Sequence, residues 1–183
     1  MEAIMSNKMR SYYDYMLAFD SAVCVSVSQT NQYKIIRQLF RLISRLGDGV
    51  FWYMLMAIII LTQQDNCFVC VIHMGVAGLT GTIFYKWLKH KTHRPRPYQV
   101  RQDVWCVGKP LDHFSFPSGH TLHAVTFSLV AINYYPQLAI ILIPFTVMIA
   151  MSRVILGLHY PSDVLAGAGL GYLIALLSFQ LFV

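Results

Sequence analysis

The chain has 183 residues, of which 56% are hydrophobic and only 12% are charged, and its mean hydropathy is +0.52. This composition excludes an ordinary soluble domain and is typical of a protein that crosses a membrane several times. The formal net charge of +6 points to lipid headgroups or phosphate groups, and no nucleic-acid-binding motif accompanies it. We therefore expect the lipid bilayer, and no nucleic acid, as a partner of this chain.

Residues 1–46 form a mixed N-terminal segment that ends in a basic amphipathic pattern. Apolar residues recur there at helical spacing, opposite the cations Lys34, Arg37, Arg41 and Arg45. Such a helix is suited to lying on a membrane surface. Residues 13–30 are apolar enough for a buried helix, but two aspartates make them a poor span, so a sixth span there stays open. We predict that 1–46 is an interfacial segment and that 47–183 is the membrane-embedded domain.

The rest of the chain predicts an all-α integral membrane helical bundle with five transmembrane helices. These spans cover residues 50–61, 67–87, 119–134, 138–158 and 164–183. In the last span, Gly167 and Gly171 form a small-residue face for close helix packing. Asp48 follows Gly47 at a break in the pattern, and we interpret it as a cap of the first span. We interpret His73, inside the second span, as a neutral, hydrogen-bonded core residue.

Three polar clusters interrupt the apolar chain, at residues 89–97, 116–120 and 152–163. Each cluster borders the end of a predicted span. Because consecutive spans cross the membrane in opposite directions, all three clusters fall at the same membrane face. Ionisable groups at the membrane edge are costly and are commonly functional. The clusters therefore predict one site that contains lysine, arginine, serine, histidine and aspartate side chains.

This set of side chains is suited to binding phosphate. Arginine offers two parallel donors to phosphoryl oxygens, and lysine offers a point charge. Ser118 and Gly119 begin the third span, where N–H groups and the helix dipole favour an anion. A pair of catalytic metal ions would need several carboxylates, and only Asp103, Asp112 and Asp163 are near. We therefore expect phosphate chemistry without a metal or another cofactor.

The clusters resemble the three-part signature of the type-2 phosphatidic acid phosphatase and vanadium haloperoxidase superfamily. The matching residues are, in chain order, Lys89 with Arg96-Pro97, then Pro117 to His120, then Ser152-Arg153 with His159 and Asp163. All three parts match in order and cover residues 89–163. Arg94 also precedes a proline, but only Arg96 keeps the family's spacing from Lys89. We interpret Arg94 as a surface or headgroup-binding residue.

The resemblance implies a covalent mechanism with definite roles. His159 would attack phosphorus and become a phosphohistidine, while Asp163 would hold the other ring nitrogen. His120 would protonate the departing oxygen and then activate water. The phosphoryl oxygens would be held by Lys89, Arg96, Arg153 and the region of Ser118 and Gly119. We interpret His123, one turn into the third span, as a structural neighbour.

The function implied by the resemblance is that of an integral membrane phosphatase acting on lipid phosphates or diphosphates. Undecaprenyl diphosphate, phosphatidic acid and phosphatidylglycerophosphate are the substrate classes that it implies, with phosphate or vanadate as a ligand or inhibitor. A lipid phosphotransferase would use the same residues with another acceptor, so that alternative stays open. A haloperoxidase would be a large soluble protein, and a non-catalytic protein that binds anions or lipids is the remaining class.

Two lines of reasoning predict opposite orientations of the protein in the membrane. With five spans, the N-terminal segment and the three clusters share one side, which carries all 14 lysine and arginine residues. The positive-inside rule would place that side in the cytoplasm. The resemblance implies the opposite, since bacterial membrane members of the family usually work at the periplasmic face of the inner membrane. We adopt the periplasmic orientation as the expectation.

Overall fold

The computed structural model describes residues 7–62, 65–108, 110 and 112–182 of the chain. Every regular element in those ranges is helical. The α-helices are α1 Asn7–Ser28, α2 Lys34–Arg45, α3 Phe51–Thr62, α4 Cys67–Thr92, α5 Pro97–Val100, α6 Gly119–Tyr134, α7 Ala139–Ile155 and α8 Pro161–Phe182. The predicted all-α fold class is confirmed. Residues 1–6 of the predicted N-terminal segment and residue 183 of the predicted last span lie outside the described residues.

Four helical stretches in the described part of the chain are long and apolar enough to cross a membrane. They are Lys34–Thr62, Cys67–Val100, Pro136–Ile155 and Pro161–Phe182. The last three begin close to predicted spans, so the prediction of a multi-pass membrane protein is confirmed. The first begins well before the predicted start at residue 50.

The earlier start arises because α2 and α3 are joined end to end. Leu46–Val50 forms a π-helical turn between them, in which Gly49 has φ of 136°. This left-handed conformation is open to glycine and strained for other residues. The glycine therefore interrupts the helical backbone and kinks the chain between α2 and α3, so the predicted break at 47–49 is confirmed. The predicted division into 1–46 and 47–183 falls at this kink and stays a prediction.

The predicted third span corresponds to α6. If α2 and α3 are counted as one helix, five helices correspond to the predicted spans, and α6 is the shortest of them. Its 16 residues extend about 24 Å, which is less than the roughly 30 Å of a bilayer core. It packs against α4, α7 and α8, so other helices surround it. The total of five spans stays a prediction.

The possible sixth span at residues 13–30 lies in and just after α1. This helix is not among the four membrane-length stretches of the described chain. Asp20 on α1 is buried and accepts the backbone N–H of Ser162 at 3.0 Å. Cys24 Sγ lies 3.6 Å from the carbonyl oxygen of His159. The aspartate that makes this segment a poor span thus anchors α1 over the turn between α7 and α8.

The predicted glycine face of α8 is confirmed, and it packs against α6. A Cβ atom on Gly167 would clash with the carbonyl oxygen of Ser118, and one on Gly171 would clash with that of Leu122. The two backbones can approach this closely only because both positions are glycine. This contact places the first turn of α6 beside the first turn of α8, where the second and third clusters end.

His73 lies in the core between α4, α6 and α8. Its Nδ1 atom is 3.1 Å from the Tyr134 hydroxyl, and its Nε2 atom is 2.7 Å from Ser178 Oγ. The ring stacks on Phe182 with 4.2 Å between centroids. Both ring nitrogens have partners within the protein, so the interpretation of His73 as a hydrogen-bonded core residue is confirmed.

Candidate active site

A single cavity of about 190 Å³ gathers residues from all three polar clusters, and we call it the central cavity. The cluster residues that line it are Lys89, Arg96, Gly119, His120, Arg153 and His159. They come from the end of α4, the start of α6, the end of α7 and the turn between α7 and α8, with Arg96 just before α5. The predicted convergence of the clusters at one end of the bundle is confirmed.

The turn that carries His159 is built around the backbone of Arg153. The N–H groups of Leu158 and His159 both donate to the carbonyl oxygen of Arg153 at 3.0 Å. Gly157 has φ of 68°, and a side chain there would press on the carbonyl oxygen of Trp105. Glycine is therefore required at this turn, which holds the His159 imidazole almost completely buried.

The His159 imidazole is neutral at physiological pH. Burial lowers the pKa of His159 well below its ordinary value, and the charges of Arg153, Arg96 and Lys89 lower it further. Its Nε2 atom lies 3.4 Å from Nη1 of Arg96. A neutral imidazole keeps a lone pair for attack on phosphorus, and here that nitrogen lies among cations that would bind the phosphoryl oxygens.

Asp163 lies beside the other ring nitrogen of His159 without a hydrogen bond to it in this structure. Its Oδ2 atom is 3.5 Å from Nδ1, and Nδ1 has no hydrogen-bond partner among the described residues. The carboxylate accepts the Tyr160 N–H at 2.9 Å and the Ser115 hydroxyl, and Arg94 donates to it at 2.7 Å. These bonds fix the carboxylate where a small rotation of the imidazole would reach it.

Arg94 connects this carboxylate to α1, and its interpretation as a headgroup-binding surface residue is wrong. One guanidinium nitrogen donates to Asp163 and another to Asp20, both at 2.7 Å. The first nitrogen also donates to Ser162 Oγ at 2.7 Å, and the guanidinium lies 4.2 Å above the Tyr160 ring. Arg94 is thus placed to position Asp163, although the motif spacing excludes it.

Lys89 and Arg96 both bind the carboxylate of Asp112, which is identified from the sequence only as an aspartate near the clusters. Lys89 Nζ is 3.1 Å and Arg96 Nη2 is 2.6 Å from Oδ1 of Asp112. Burial raises the pKa of Asp112, but the charges and hydrogen bonds of Lys89 and Arg96 outweigh burial and hold that pKa below its ordinary value. An ionised carboxylate therefore lies between two cations that are expected to bind phosphoryl oxygens.

Arg153 is an almost completely buried cation of the central cavity, with 2% of its surface exposed. It donates through Nη1 to the Ser44 hydroxyl of α2. Its Nε has no hydrogen-bond partner within the described part of the chain. A buried donor without a partner is costly to stability, so this guanidinium is suited to receive an anion.

Ser118 and Gly119 take different positions relative to the central cavity. The Ser118 hydroxyl is 3.0 Å from Thr121 Oγ1, and its N–H donates to the carbonyl oxygen of Asp163 at 3.0 Å. The expectation that the Ser118 N–H faces phosphate is therefore wrong, and Ser118 ties α6 to α8 instead. Gly119 lines the cavity, where a Cβ atom would lie 3.3 Å from the Tyr85 ring, so Gly119 keeps its predicted place.

His120 is hydrogen-bonded through Nε2 to the carboxylate of Asp48. The interpretation of Asp48 as a helix cap is therefore corrected, since its carboxylate binds the predicted acid–base residue. The predicted five-span topology could have indicated this contact, because it places the start of the first span at the same membrane face as the clusters. An ionisable residue at that end of a span can reach the site.

His123 contacts neighbours in the way predicted for a structural residue. Its Nε2 atom is 3.2 Å from Thr82 Oγ1. Its ring stacks on Phe127 with 5.4 Å between centroids. The residue also borders the central cavity, where it forms part of the wall.

A membrane bundle with a buried neutral histidine among convergent cations is the architecture of a phosphoryl-transfer site. The sequence model of the PAP2 superfamily matches residues 70–183, which is more than half of the chain. The protein belongs to the PAP2 superfamily, and the resemblance to the type-2 phosphatidic acid phosphatases is confirmed.

Relatives and one solved structure agree with this membership. Undecaprenyl-diphosphatase of Sulfolobus acidocaldarius is 29% identical over 155 residues, covering 82% of this chain and 73% of that protein. Phosphatidylglycerophosphatase B of Bacillus subtilis is 29% identical over 150 residues, covering 74% and 64%. The crystal structure of a transmembrane PAP2 type phosphatidylglycerolphosphate phosphatase from Bacillus subtilis aligns with a TM-score of 0.68 and 25% identity, covering 98% of this chain and 88% of that one. These likenesses support a lipid phosphatase.

Proposed function

We propose that the protein hydrolyses a lipid phosphate or lipid diphosphate by way of a phosphohistidine intermediate. The observation that carries this proposal is the neutral, buried His159, whose Nε2 atom lies beside Arg96 in a cavity that Lys89 and Arg153 also line. The cavity is at the ends of membrane helices, where the head of a lipid can reach it while its tail stays in the bilayer.

In the first step, the lone pair of His159 Nε2 forms a bond to the terminal phosphorus as the bond from phosphorus to the lipid oxygen breaks. Lys89, Arg96 and Arg153 stabilise the charge on the three phosphoryl oxygens. The departing oxygen takes a proton from His120. Asp163 then accepts the Nδ1–H of the phosphorylated ring and stabilises its positive charge.

In the second step, water attacks the phosphohistidine and His120 takes the proton that the water loses. The electrons of the N–P bond return to His159, and inorganic phosphate leaves. Asp48 is bonded to Nε2 of His120, so Nδ1 of that ring is the nitrogen that exchanges protons with the substrate and water. The carboxylate of Asp48 stabilises the protonated ring before the first step and after the second.

An apolar groove beside the central cavity supports a lipid as the substrate. It has a volume of about 340 Å³, lies between α3 and α4, and is bordered by Trp52, Met56 and Leu79. Asp48 and His123 line both the groove and the central cavity. A lipid chain in the groove would therefore leave its phosphate next to the proton donor His120.

Phosphate release from a panel of long-chain lipid phosphates and diphosphates tests the proposed hydrolysis. Purified protein in detergent should release inorganic phosphate from at least one lipid, with activity retained in EDTA and lost in His159→Ala. Vanadate should inhibit, because its five-coordinate form resembles the phosphoryl group in transfer. Absence of release from every lipid would contradict the proposal, and transfer to a lipid acceptor without release would identify a phosphotransferase.

We further propose that the central cavity faces the periplasm from the inner membrane. This orientation is supported by the family resemblance, against the positive-inside rule. In a cysteine-free background, Gln102→Cys should react with an impermeant maleimide in cells whose outer membrane alone is permeabilised. Labelling at Gln137→Cys without labelling at Gln102→Cys would place the site in the cytoplasm.

A further inference from the structure

A second and larger cavity adjoins the central cavity on the side of α2, and we call it the basic chamber. It has a volume of about 590 Å³, and the charged residues in its lining are Arg41, Arg45, Asp48 and Arg153. Asp48 and Arg153 also line the central cavity. The two cavities therefore meet at one carboxylate and one guanidinium.

The charge of the basic chamber is strongly positive, with three guanidinium groups against one carboxylate. Arg41 and Arg45 are four residues apart on α2, so they lie on the same face of that helix. Within the described residues neither guanidinium has a hydrogen bond or ion pair, whereas Arg37 on the same helix donates to the Asn31 carbonyl oxygen at 3.2 Å. The two chamber arginines are thus available for a ligand.

Arg153 extends this positive charge to the reacting phosphate. It is buried, and its Nε lacks a partner among the described residues. Its side chain reaches from α7 to Ser44 on α2. In the sequence, Ser44 lies between Arg41 and Arg45. An anion held by Arg153 in the central cavity would therefore have Arg41 and Arg45 on its far side.

The direction of attack decides which part of a substrate meets the chamber. In phosphoryl transfer the attacking and leaving oxygens or nitrogens lie roughly in line through phosphorus. With His159 attacking, the leaving oxygen lies beside His120, which is bonded to Asp48. Asp48 borders the central cavity, the apolar groove and the basic chamber, so the leaving group lies where the three spaces meet.

We propose that the basic chamber binds the second phosphate of a lipid diphosphate and makes the enzyme selective for diphosphates over monophosphates. This inference rests on the proposed hydrolysis. The bond that breaks joins the terminal phosphorus to the oxygen that bridges the two phosphates. That oxygen stays on the lipid monophosphate and takes the proton of His120. A monophosphate places an uncharged alkyl oxygen at the same point, so Arg41 and Arg45 contribute nothing to its transfer.

The test compares one prenyl chain carrying a diphosphate with the same chain carrying a monophosphate, using purified full-length protein in detergent. Arg41→Gln combined with Arg45→Gln should lower kcat/KM for the diphosphate by about 100-fold, because charge-assisted bonds to phosphate are lost. The monophosphate should lose less than about threefold. Inorganic pyrophosphate should also weaken as an inhibitor in the double variant, while inorganic phosphate should not.

Lys34→Gln is the matched control, since it removes a cation from the same helix outside the chamber, and both substrates should keep their kcat/KM. Equal losses for the two lipids in the double variant would show that the arginines serve the protein in another way, such as binding headgroups, and would overturn the inference. An unchanged diphosphate rate would overturn it as well. The proposed function fails separately, if the wild-type protein releases phosphate from neither lipid.

Discussion

The two histidines of the central cavity that we propose as catalytic, His159 and His120, are held in contrasting surroundings. The side chains of His159 and Asp163 are 2% and 0% exposed, and Arg94, Ser115 and the Tyr160 N–H fix the carboxylate. The side chains of His120 and Asp48 are 11% and 38% exposed. The proposed nucleophilic pair is therefore enclosed, whereas the proposed acid–base pair reaches solvent through Asp48.

This contrast follows from what each pair has to do. The nucleophile must stay neutral and keep its lone pair directed at phosphorus, and burial among cations achieves the first requirement. The acid–base residue must give a proton, take one from water and return to its starting state, which requires access to solvent. The enclosure of His159 and the contact of His120 with the exposed Asp48 are thus suited to the roles proposed for the two histidines.

The largest expected effect separates the two histidines directly. His159→Ala should lower turnover by about 10⁴-fold or more, because no nucleophile remains. His120→Ala should still permit a first phosphoryl transfer from an activated aryl phosphate, whose leaving group needs little proton donation. A labelled phosphoryl group should then accumulate on His159 as an acid-labile, base-stable adduct. Label on a serine would contradict the assigned roles.

A smaller effect is expected from opening the enclosure around Asp163. Arg94→Gln removes the bonds to Asp163 and Asp20, and the loss of orientation should lower kcat by about 100-fold. KM should change little, because Arg94 is not among the residues that line the central cavity. Arg94→Lys should restore part of kcat by returning the charge.

Arg101→Gln is the control for Arg94→Gln, since Arg101 forms an exposed ion pair with Asp103. Such a pair contributes little to stability, and both kinetic parameters should stay near the wild-type values. An equal rise in KM and fall in kcat for Arg94→Gln would show general damage to the fold, and the positioning role would then be wrong.

The sequence predicted the nucleophilic half better than its supports. The resemblance to the family's three-part signature named His159, Asp163, Lys89 and Arg96, and span counting brings their clusters to one end. Asp20 and Asp48 could not be named in the same way, since both lie before residue 70, where the family match begins. Their roles depend on how α1 and the kink before α3 pack, and no local pattern encodes that packing.

Arg94 shows a second limit of sequence reasoning. Like Arg96, Arg94 is followed by a proline. It lies two residues before Arg96, however, and so does not keep the motif's spacing from Lys89. The direction of a side chain in an irregular loop depends on long-range partners, here an aspartate 74 residues earlier and another 69 residues later. The helices, by contrast, were predictable because their apolar periodicity and length are local properties.

The open half of the site gives a more moderate expectation. Asp48→Asn keeps the size of the side chain but removes the charge that stabilises protonated His120, and kcat for a lipid substrate should fall about 10-fold. The first transfer from an activated aryl phosphate should be nearly unaffected, since it needs little acid catalysis. An equal loss with both substrates would show that Asp48 has a structural role alone, and the comparison between the halves would weaken.

The smallest expected effect concerns Asp112, the carboxylate between Lys89 and Arg96. A phosphoryl group that binds both cations must displace this carboxylate from its 2.6 Å and 3.1 Å contacts. Asp112→Asn removes the competing charge, so vanadate and inorganic phosphate should inhibit at about threefold lower concentration. The pKa of Asp112 is held below its ordinary value, so wild-type Asp112 stays ionised and the ratio between variant and wild type should persist as the pH is lowered to about 5.

Asp112→Glu serves as the matched variant, because it keeps the charge and should keep wild-type inhibition by vanadate. Weaker vanadate binding in Asp112→Asn would mean that the carboxylate organises the two cations for phosphate instead of competing with it. The two outcomes differ in sign, so a titration of vanadate against both variants decides between them. In either case the carboxylate of Asp112 offsets the repulsion between Lys89 and Arg96, since like charges this close repel unless a counter-charge lies between them.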